Sequence, residues 1–322
     1  MGGVLQIDVF NGDADGICAL IQLRLDKPVK TKLITGVKRD INLLKQVQVQ
    51  VNDVVTVLDI SLQKNRTDLQ RILNQGATVF YVDHHLAGEI LQHPNLKTLI
   101  NTSVNTCTSL LIDQYLDGKY RAWAVTAAFG DNLIGSAEKS AQQLSLTVNQ
   151  LALLRGLGIC INYNGCGSTL SDLHFSPDVL YQELLGYSSP FDYIAAYGSS
   201  YQQLMAGYVE DIALVQTIKE EYCTPTIAVY RLPDKAWARR IGGVYANELA
   251  NRMPTRAHAI ISYNSQGGYQ VSVRAPLVNK KGADELCSLF TTGGGRKSAA
   301  GINHLPFDEL NLFITEFEKK YH

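Results

Sequence analysis

The chain has 322 residues, which at roughly 100–200 residues per domain leaves room for two domains and a sizeable core. Hydrophobic residues make up 46% and charged residues 18%, which excludes a disordered chain. A net charge of −1 argues against a protein that coats long nucleic acid by electrostatics alone. Residues 1–215 carry 15 Lys/Arg against 20 Asp/Glu and residues 216–322 carry 14 against 10, so an acidic part precedes a basic one, as in a metal site facing an anion-binding surface. No apolar run reaches about 18 residues, so no membrane span is expected. Met1–Gln6 shows neither a signal peptide nor, with Gln6 in place of Ser or Thr, a myristoylation motif. The six cysteines form no CxxC pair, which excludes a zinc ribbon and reads as free thiols in a reducing cytoplasm.

Taken in chain order, Val4–Phe10 is an apolar run ending in Asn11-Gly12-Asp13, and Gly16–Leu25 follows with helical spacing. Thr31–Thr35, Val54–Ile60, Thr78–Val82 and Lys97–Asn101 are further strand-like runs, with a helix over Leu69–Leu73 stopped by Gly76. Strands alternating with helices imply an α/β fold with a parallel sheet flanked by helices. From Thr106 the pattern turns helical, clearest over Ala122–Phe129, Val148–Leu157 and one long connecting helix, Tyr193–Glu221. Strand signals return at Thr226–Arg231, Ala257–Ser262 and Tyr269–Arg274, the last two joined by a turn at Asn264–Gly268, with helices over Val244–Asn251 and Ala283–Phe290. The expected organisation is a domain over 1–190, a helical linker over 191–223 and a smaller α/β domain over 224–322.

In doubly wound α/β folds ligands bind where strands end. Asp13 and Asp15 follow the first run, Asp59 the third, Asp83-His84-His85 the fourth, and Gly130-Asp131-Asn132 ends the Ala122–Phe129 segment. Singly, an Asp in such a turn is as well explained as a helix cap. Asp13-Ala14-Asp15-Gly16 is not a calcium loop, because Ile17 and Arg24 stand where that loop needs oxygen ligands. Together these carboxylates would repel strongly without cations, and mixed carboxylate and imidazole ligands suit Mn²⁺, Mg²⁺, Fe²⁺ or Co²⁺. Two such ions about 3.5–4 Å apart activate water and stabilise the transition state of phosphoester hydrolysis.

In order and spacing these segments resemble the four motifs of the DHH phosphoesterase superfamily: Asp13-Ala14-Asp15-Gly16, Val57-Leu58-Asp59, Val82-Asp83-His84-His85 and Gly130-Asp131-Asn132. The C-terminal part resembles the DHH-associated domain of the RecJ and nanoRNase branches, with Gly293-Gly294-Gly295-Arg296-Lys297-Ser298-Ala299-Ala300-Gly301 matching its glycine loop and Arg274 its substrate-binding arginine. The resemblance implies Asp13, Asp15, Asp59, His84 and Asp131 as ligands of two divalent metal ions, chiefly Mn²⁺, with Asp59 bridging. It implies His85 at the scissile phosphate, Asp83 orienting its neighbours, and Arg274, Gly293, Gly294, Gly295 and Arg296 holding substrate. A glycine loop lets backbone N–H groups approach a phosphate, and arginine adds bidentate contacts. Lys38 and Arg39, after the second run, add charge at the cleft or form a solvated turn.

Two departures stand out. Val9 occupies the place of a His found in many members, though RecJ-type members lack it too. Arg296 replaces the loop His, which points to a substrate other than an ordinary oligonucleotide end, with spatial substitution by His304 as the lesser alternative. Arginine keeps positive charge but accepts no hydrogen bond and carries no proton. The P-loop pattern fails at Phe290 and Arg296, the dinucleotide fingerprint at Ile161, and no G-x-S-x-G elbow occurs. The expected activity is metal-dependent hydrolysis of short single-stranded oligonucleotides to mononucleotides, as in nanoRNases. The other enzymatic readings are cyclic or linear dinucleotides, 3′-phosphoadenosine 5′-phosphate or polyphosphate. A non-catalytic nucleotide or nucleic-acid binder is the reading from another class. A soluble cytoplasmic protein, with a homodimer left open, is the expected setting.

Overall fold

The computed structural model describes residues 3–264 and 267–322. The chain divides into two compact units: one of residues up to Gly165 with His174–Met205, the other of Cys166–Leu173 with Ala206–His322.

The first unit opens with β1 (Gln6–Phe10), α1 (Ala14–Asp26), β2 (Lys32–Ile34), β3 (Val54–Leu58), α2 (Leu62–Asn74), β4 (Thr78–Asp83) and β5 (Leu96–Ile100). All five strands are parallel, in the order β2-β1-β3-β4-β5. Parallel strands are covered on both faces, which is why β1, β3 and β4 read as near-continuous apolar runs. Val9, Val55, Val57, Val79 and Tyr81 are fully buried. α2 shows a helical stripe, Leu62, Leu69, Ile72 and Leu73, that packs on one of these faces. α1 is buried from Ala14 to Leu23, because helices pack against it as well. Burying each large aliphatic side chain contributes about 1.5–3 kcal/mol. The strand order reverses between β1 and β3, so the switch point, where ligands of such sheets bind, lies at the carboxyl ends of those two strands.

The remaining helices are α3 (Thr108–Tyr115), α4 (Arg121–Gly130), α5 (Ile134–Ala141), α6 (Val148–Gly165), α7 (Pro177–Leu185), α8 (Pro190–Ala195) and α9 (Ser200–Val215), the last running from the first unit into the second. The expected single helix over Tyr193–Glu221 is therefore corrected to two. Gly198, at φ +76°, adopts a conformation that no α-helix continues through, and Glu221 already bonds Val229 in a sheet.

The second unit contains β6 (Tyr222–Cys223), β7 (Ile227–Arg231), α10 (Ala236–Arg252), β8 (Ala257–Tyr263), β9 (Tyr269–Arg274), α11 (Ala283–Cys287), β10 (Gly293–Gly295), β11 (Ala299–Leu305) and α12 (Leu310–Tyr321). Its six strands run β10-β11-β9-β8-β7-β6, with only β7 and β8 parallel, joined through α10. Phe313 and Phe317 of α12 fill its core with Val229, Ile261, Val271 and Ile302. In the expected turn between β8 and β9, Ser265 and Gln266 lie outside the described residues. Among the described residues no helix is long and apolar enough to cross a membrane.

Candidate active site

The carboxyl ends of β1, β3 and β4 bring one cluster together in the first unit. The turn after β1 begins α1 with Asp13 as N-cap, its Oδ1 accepting from the amides of Asp15 (3.0 Å) and Gly16 (3.2 Å). The capping role is thus real, and it leaves Oδ2 for other partners. Asp15 is buried, and its two oxygens accept from the amides of Thr108 (2.8 Å) and Ser109 (2.7 Å) at the start of α3. A helix N-terminus favours such an anion. Asp59, one residue beyond β3, sits at φ +57°, a left-handed conformation that Asp and Asn tolerate best among residues with a side chain. The hydroxyl of Thr108 donates to its Oδ1 at 3.3 Å.

β4 ends in Asp83, which is fully buried. Its Oδ1 accepts from the amides of His84 (2.8 Å) and His85 (3.2 Å) and lies 2.7 Å from the His85 Nδ1. Burial alone would raise this carboxyl, but the His85 ring and the hydrogen bonds around it prevail and hold it below its ordinary value. The anion therefore keeps a proton on His85 Nδ1, and the opposite ring nitrogen points away from Asp83. His84 is fixed in the same tautomer by a different acceptor. Its Nδ1 lies 2.9 Å from the Thr106 carbonyl, which can only accept, so Nδ1 carries the proton. The lone pair of Nε2 then faces Asp59 (3.2 Å), Asp15 (3.7 Å) and Asp131 (3.8 Å).

Asp131 caps the C-terminus of α4, the negative end of a helix dipole, where a carboxylate is destabilised unless a cation compensates it. Close packing puts it there: a Cβ on Gly130 would lie 2.5 Å from the Ala14 side chain and 2.7 Å from the Gly158 carbonyl. Lys38 enters from the turn after β2, its Nζ 2.5 Å from Asp13 Oδ2, 3.5 Å from Asp131 Oδ1 and 2.7 Å from Asn162 Oδ1 on α6.

Burial, and next the charge of Asp59, push Asp15 up to about 8. Burial and the charge of Asp13 raise Asp59 well above its ordinary value. The carboxylates cannot all be ionised without cations beyond Lys38. Ligand atoms of Asp59, His84 and His85, and of Asp15, His84 and Asp131, lie within 4.8 Å of one another. An imidazole lone pair aimed at carboxylate oxygens is repulsive unless a cation lies between them, so the donor set fits hard or borderline divalent metals. The nearby thiols of Cys18 and Cys107 are pushed up by burial and by the Asp15 charge, which makes them poor ligands and nucleophiles.

The five residues expected as metal ligands, Asp13, Asp15, Asp59, His84 and Asp131, thus meet, together with Asp83 and His85, expected in orienting and catalytic roles. Arg274, Gly293, Gly294, Gly295 and Arg296 lie in the second unit. Arg274 donates to Asn247 (2.5 Å), Ser272 (3.2 Å) and the carbonyls of Val273 (3.0 Å) and Gly243 (3.2 Å). The three glycines form the edge strand β10, and Arg296 opens the turn into β11. The lesser alternative, His304 as a spatial substitute for the loop His, does not fit the structure. His304 stands five residues along β11 from Ala299, which closes that turn, and at about 3.3 Å per residue this is about 16 Å away. Sequence reasoning missed Asn162, Thr106 and Thr108. No motif marks them.

No family model and no curated protein matches this sequence. Among solved structures, exonuclease RecJ bound to manganese superposes with a TM-score of 0.60 at 16% identity, over 98% of this chain and 89% of that one. RecJ from Thermus thermophilus in complex with Mn²⁺ gives 0.62 at 17%, over 98% of this chain and 51% of that one, so the chain spans about half of its length. The chain has the RecJ fold. The pGpG-specific phosphodiesterase PggH from Vibrio cholerae gives a TM-score of 0.51 at 11% identity, over 98% and 99% of the two chains. The RecJ fold agrees with the DHH resemblance of the four motifs, three of which follow β1, β3 and β4 of this chain's parallel sheet while the fourth ends α4.

Proposed function

We propose that this chain is a divalent-metal-dependent phosphoesterase that hydrolyses short single-stranded oligonucleotides, linear dinucleotides included, to mononucleotides. The observation that carries this reading is the cluster at the ends of β1, β3 and β4, with His84 locked so that its Nε2 faces Asp15, Asp59 and Asp131. Similarity to RecJ bound to manganese and to a pGpG phosphodiesterase supports it. Asp13, Asp15, Asp59, His84 and Asp131 would hold two ions, Mn²⁺ first among the candidates. When bound, these ions would supply an activated water and charge stabilisation for in-line displacement. The chain's own residues do the rest. Asp83 keeps the proton on His85 Nδ1, and the far side of this ring, on a side chain one-third exposed, serves a phosphate oxygen or leaving group. Arg274 is held in one orientation by Asn247 and Gly243, which prepays the ordering a phosphate contact needs. Gly294 offers a backbone edge that phosphate oxygens can approach.

The test is a product-release screen with Mn²⁺ on 5′-labelled two- to five-nucleotide RNAs, cyclic dinucleotides, 3′-phosphoadenosine 5′-phosphate and polyphosphate, beside Asp59→Asn. Preferential cleavage of the short RNAs, absent in the variant, is the expected result. No turnover on any of them, with nucleotide binding retained by both proteins, would overturn it in favour of a non-catalytic binder.

A further inference from the structure

Lys38 is not part of the motifs, yet its ammonium sits within the cluster. Its backbone is tied on both sides: the Lys38 amide donates to the Gly165 carbonyl at 2.8 Å, and the Lys38 carbonyl accepts from Asn11 Nδ2 at 3.3 Å. The turn after β2 is thereby fastened to the turn after β1 and to the end of α6. The ammonium has three donors, and three acceptors surround it: Asp13 Oδ2, Asp131 Oδ1 and Asn162 Oδ1. Asn162 is buried and adds an acceptor without adding charge. Asp13 is absent from both groups of ligand atoms that converge on His84. The cluster is therefore lopsided. Its His84 side has carboxylates facing a lone pair, and its Asp13 side already has a cation.

We propose that Lys38 is a resident cation that competes for Asp13 and Asp131, so that this chain binds one divalent ion tightly and a second one weakly. The inference rests on the metal-dependent reading above and concerns the loading of that site. A second ion that takes Asp13 must displace an ammonium held by Asp13, Asp131 and Asn162. A chain with an uncharged residue at 38 would meet no such competitor.

The test is calorimetric titration of the full chain with Mn²⁺ alone, without substrate. Wild type is expected to show one ion bound at least tenfold more tightly than the next. Lys38→Met, which keeps the length of the side chain and removes its charge, is expected to tighten the second site at least tenfold, whereas Lys38→Arg leaves it weak. A thermal melt accompanies each variant. Should Lys38→Met not fold, Asn162→Ala serves instead: it frees the ammonium without touching a charge and is expected to tighten the second site about threefold. Two equally tight sites in wild type overturn the proposal, as does a second site unchanged in folded Lys38→Met or, failing that, in Asn162→Ala. Absence of any Mn²⁺ binding overturns the metal-dependent reading along with it.

Discussion

Asp172 and Asp211 of the second unit and the clustered acids of the first are treated in opposite ways. In the second unit Asp172 accepts a bidentate pair from Arg239 and the amides of Ser168 and Thr169, and Asp211 is gripped by Arg240. In the first unit Asp13, Asp15, Asp59, Asp83 and Asp131 face one lysine and two histidines. β1 shows both treatments along one strand and the turn that follows it: buried Asp8 has its own arginine, Arg24, while Asp13 and Asp15 belong to the cluster. A matched acid contributes to holding the fold, and a crowded one opposes it. Crowding is kept where something other than stability needs it.

The largest expected effect is at Asp59. Asn is the sharper probe than Ala, because the φ of +57° suits Asn and would add strain of about 1–2 kcal/mol with Ala. Asp59→Asn is expected to lower turnover of short RNA by roughly a thousandfold or more. The melting temperature without added metal is expected to stay level or rise, because a repulsive charge has gone. A clear fall in melting temperature would show that the cluster supports the fold and would erase the contrast. Arg24 tests the opposite half. Arg24→Met leaves Asp8 buried without a cation, and urea unfolding is expected to show a loss of about 3–5 kcal/mol.

How much of this was legible in sequence follows the same division. β1, β3 and β4 are apolar runs that end in acids, so strand, turn and ligand could be read together. The helix start at Leu62 was missed because Gln63, Lys64 and Asn65 hide its apolar face, which only Leu62 and Leu69 onward mark. β10 and β11 carry Gly293–Gly295 and Ala299-Ala300-Gly301, residues with no strand preference. They pair because β9 offers a ladder to β11 and β11 one to β10, a tertiary effect that overrides propensity. Gly293 must be glycine, since a Cβ would meet the Cys287 carbonyl at 1.7 Å. Lys38 and Asn162 stand 124 positions apart, and no local pattern brings such a pair together.

A pH profile sharpens the comparison from the side of the second unit. His258 on β8 is 1% exposed with no partner for Nδ1. Burial, and next the charge of Arg256, lower it to about 4 from 6.5. The unfolded chain therefore binds a proton that the folded chain rejects. This contribution to stability is complete above about pH 6.5 and is lost as the pH falls toward 4, by up to about 3 kcal/mol. Subtracting the profile of His258→Leu from that of wild type cancels the carboxylates elsewhere. A difference that is flat between pH 6.5 and 4 would mean that the imidazole is solvated in the folded protein.

The smallest effect on stability is expected at Gly294, and for that reason it discriminates best between fold and function. A Cβ there meets nothing within 4 Å, and its φ lies outside the range that disfavours side chains, whereas Gly295 sits at φ +145°. Nothing in the second unit requires glycine at this position. Gly294→Ala should change unfolding free energy by less than about 0.5 kcal/mol. If the open edge of β10 is where substrate phosphate approaches, the methyl group stands in its way, and KM for short RNA should rise several-fold while kcat holds. An unchanged KM would leave Arg274 and Arg296 to hold the substrate without the glycine edge.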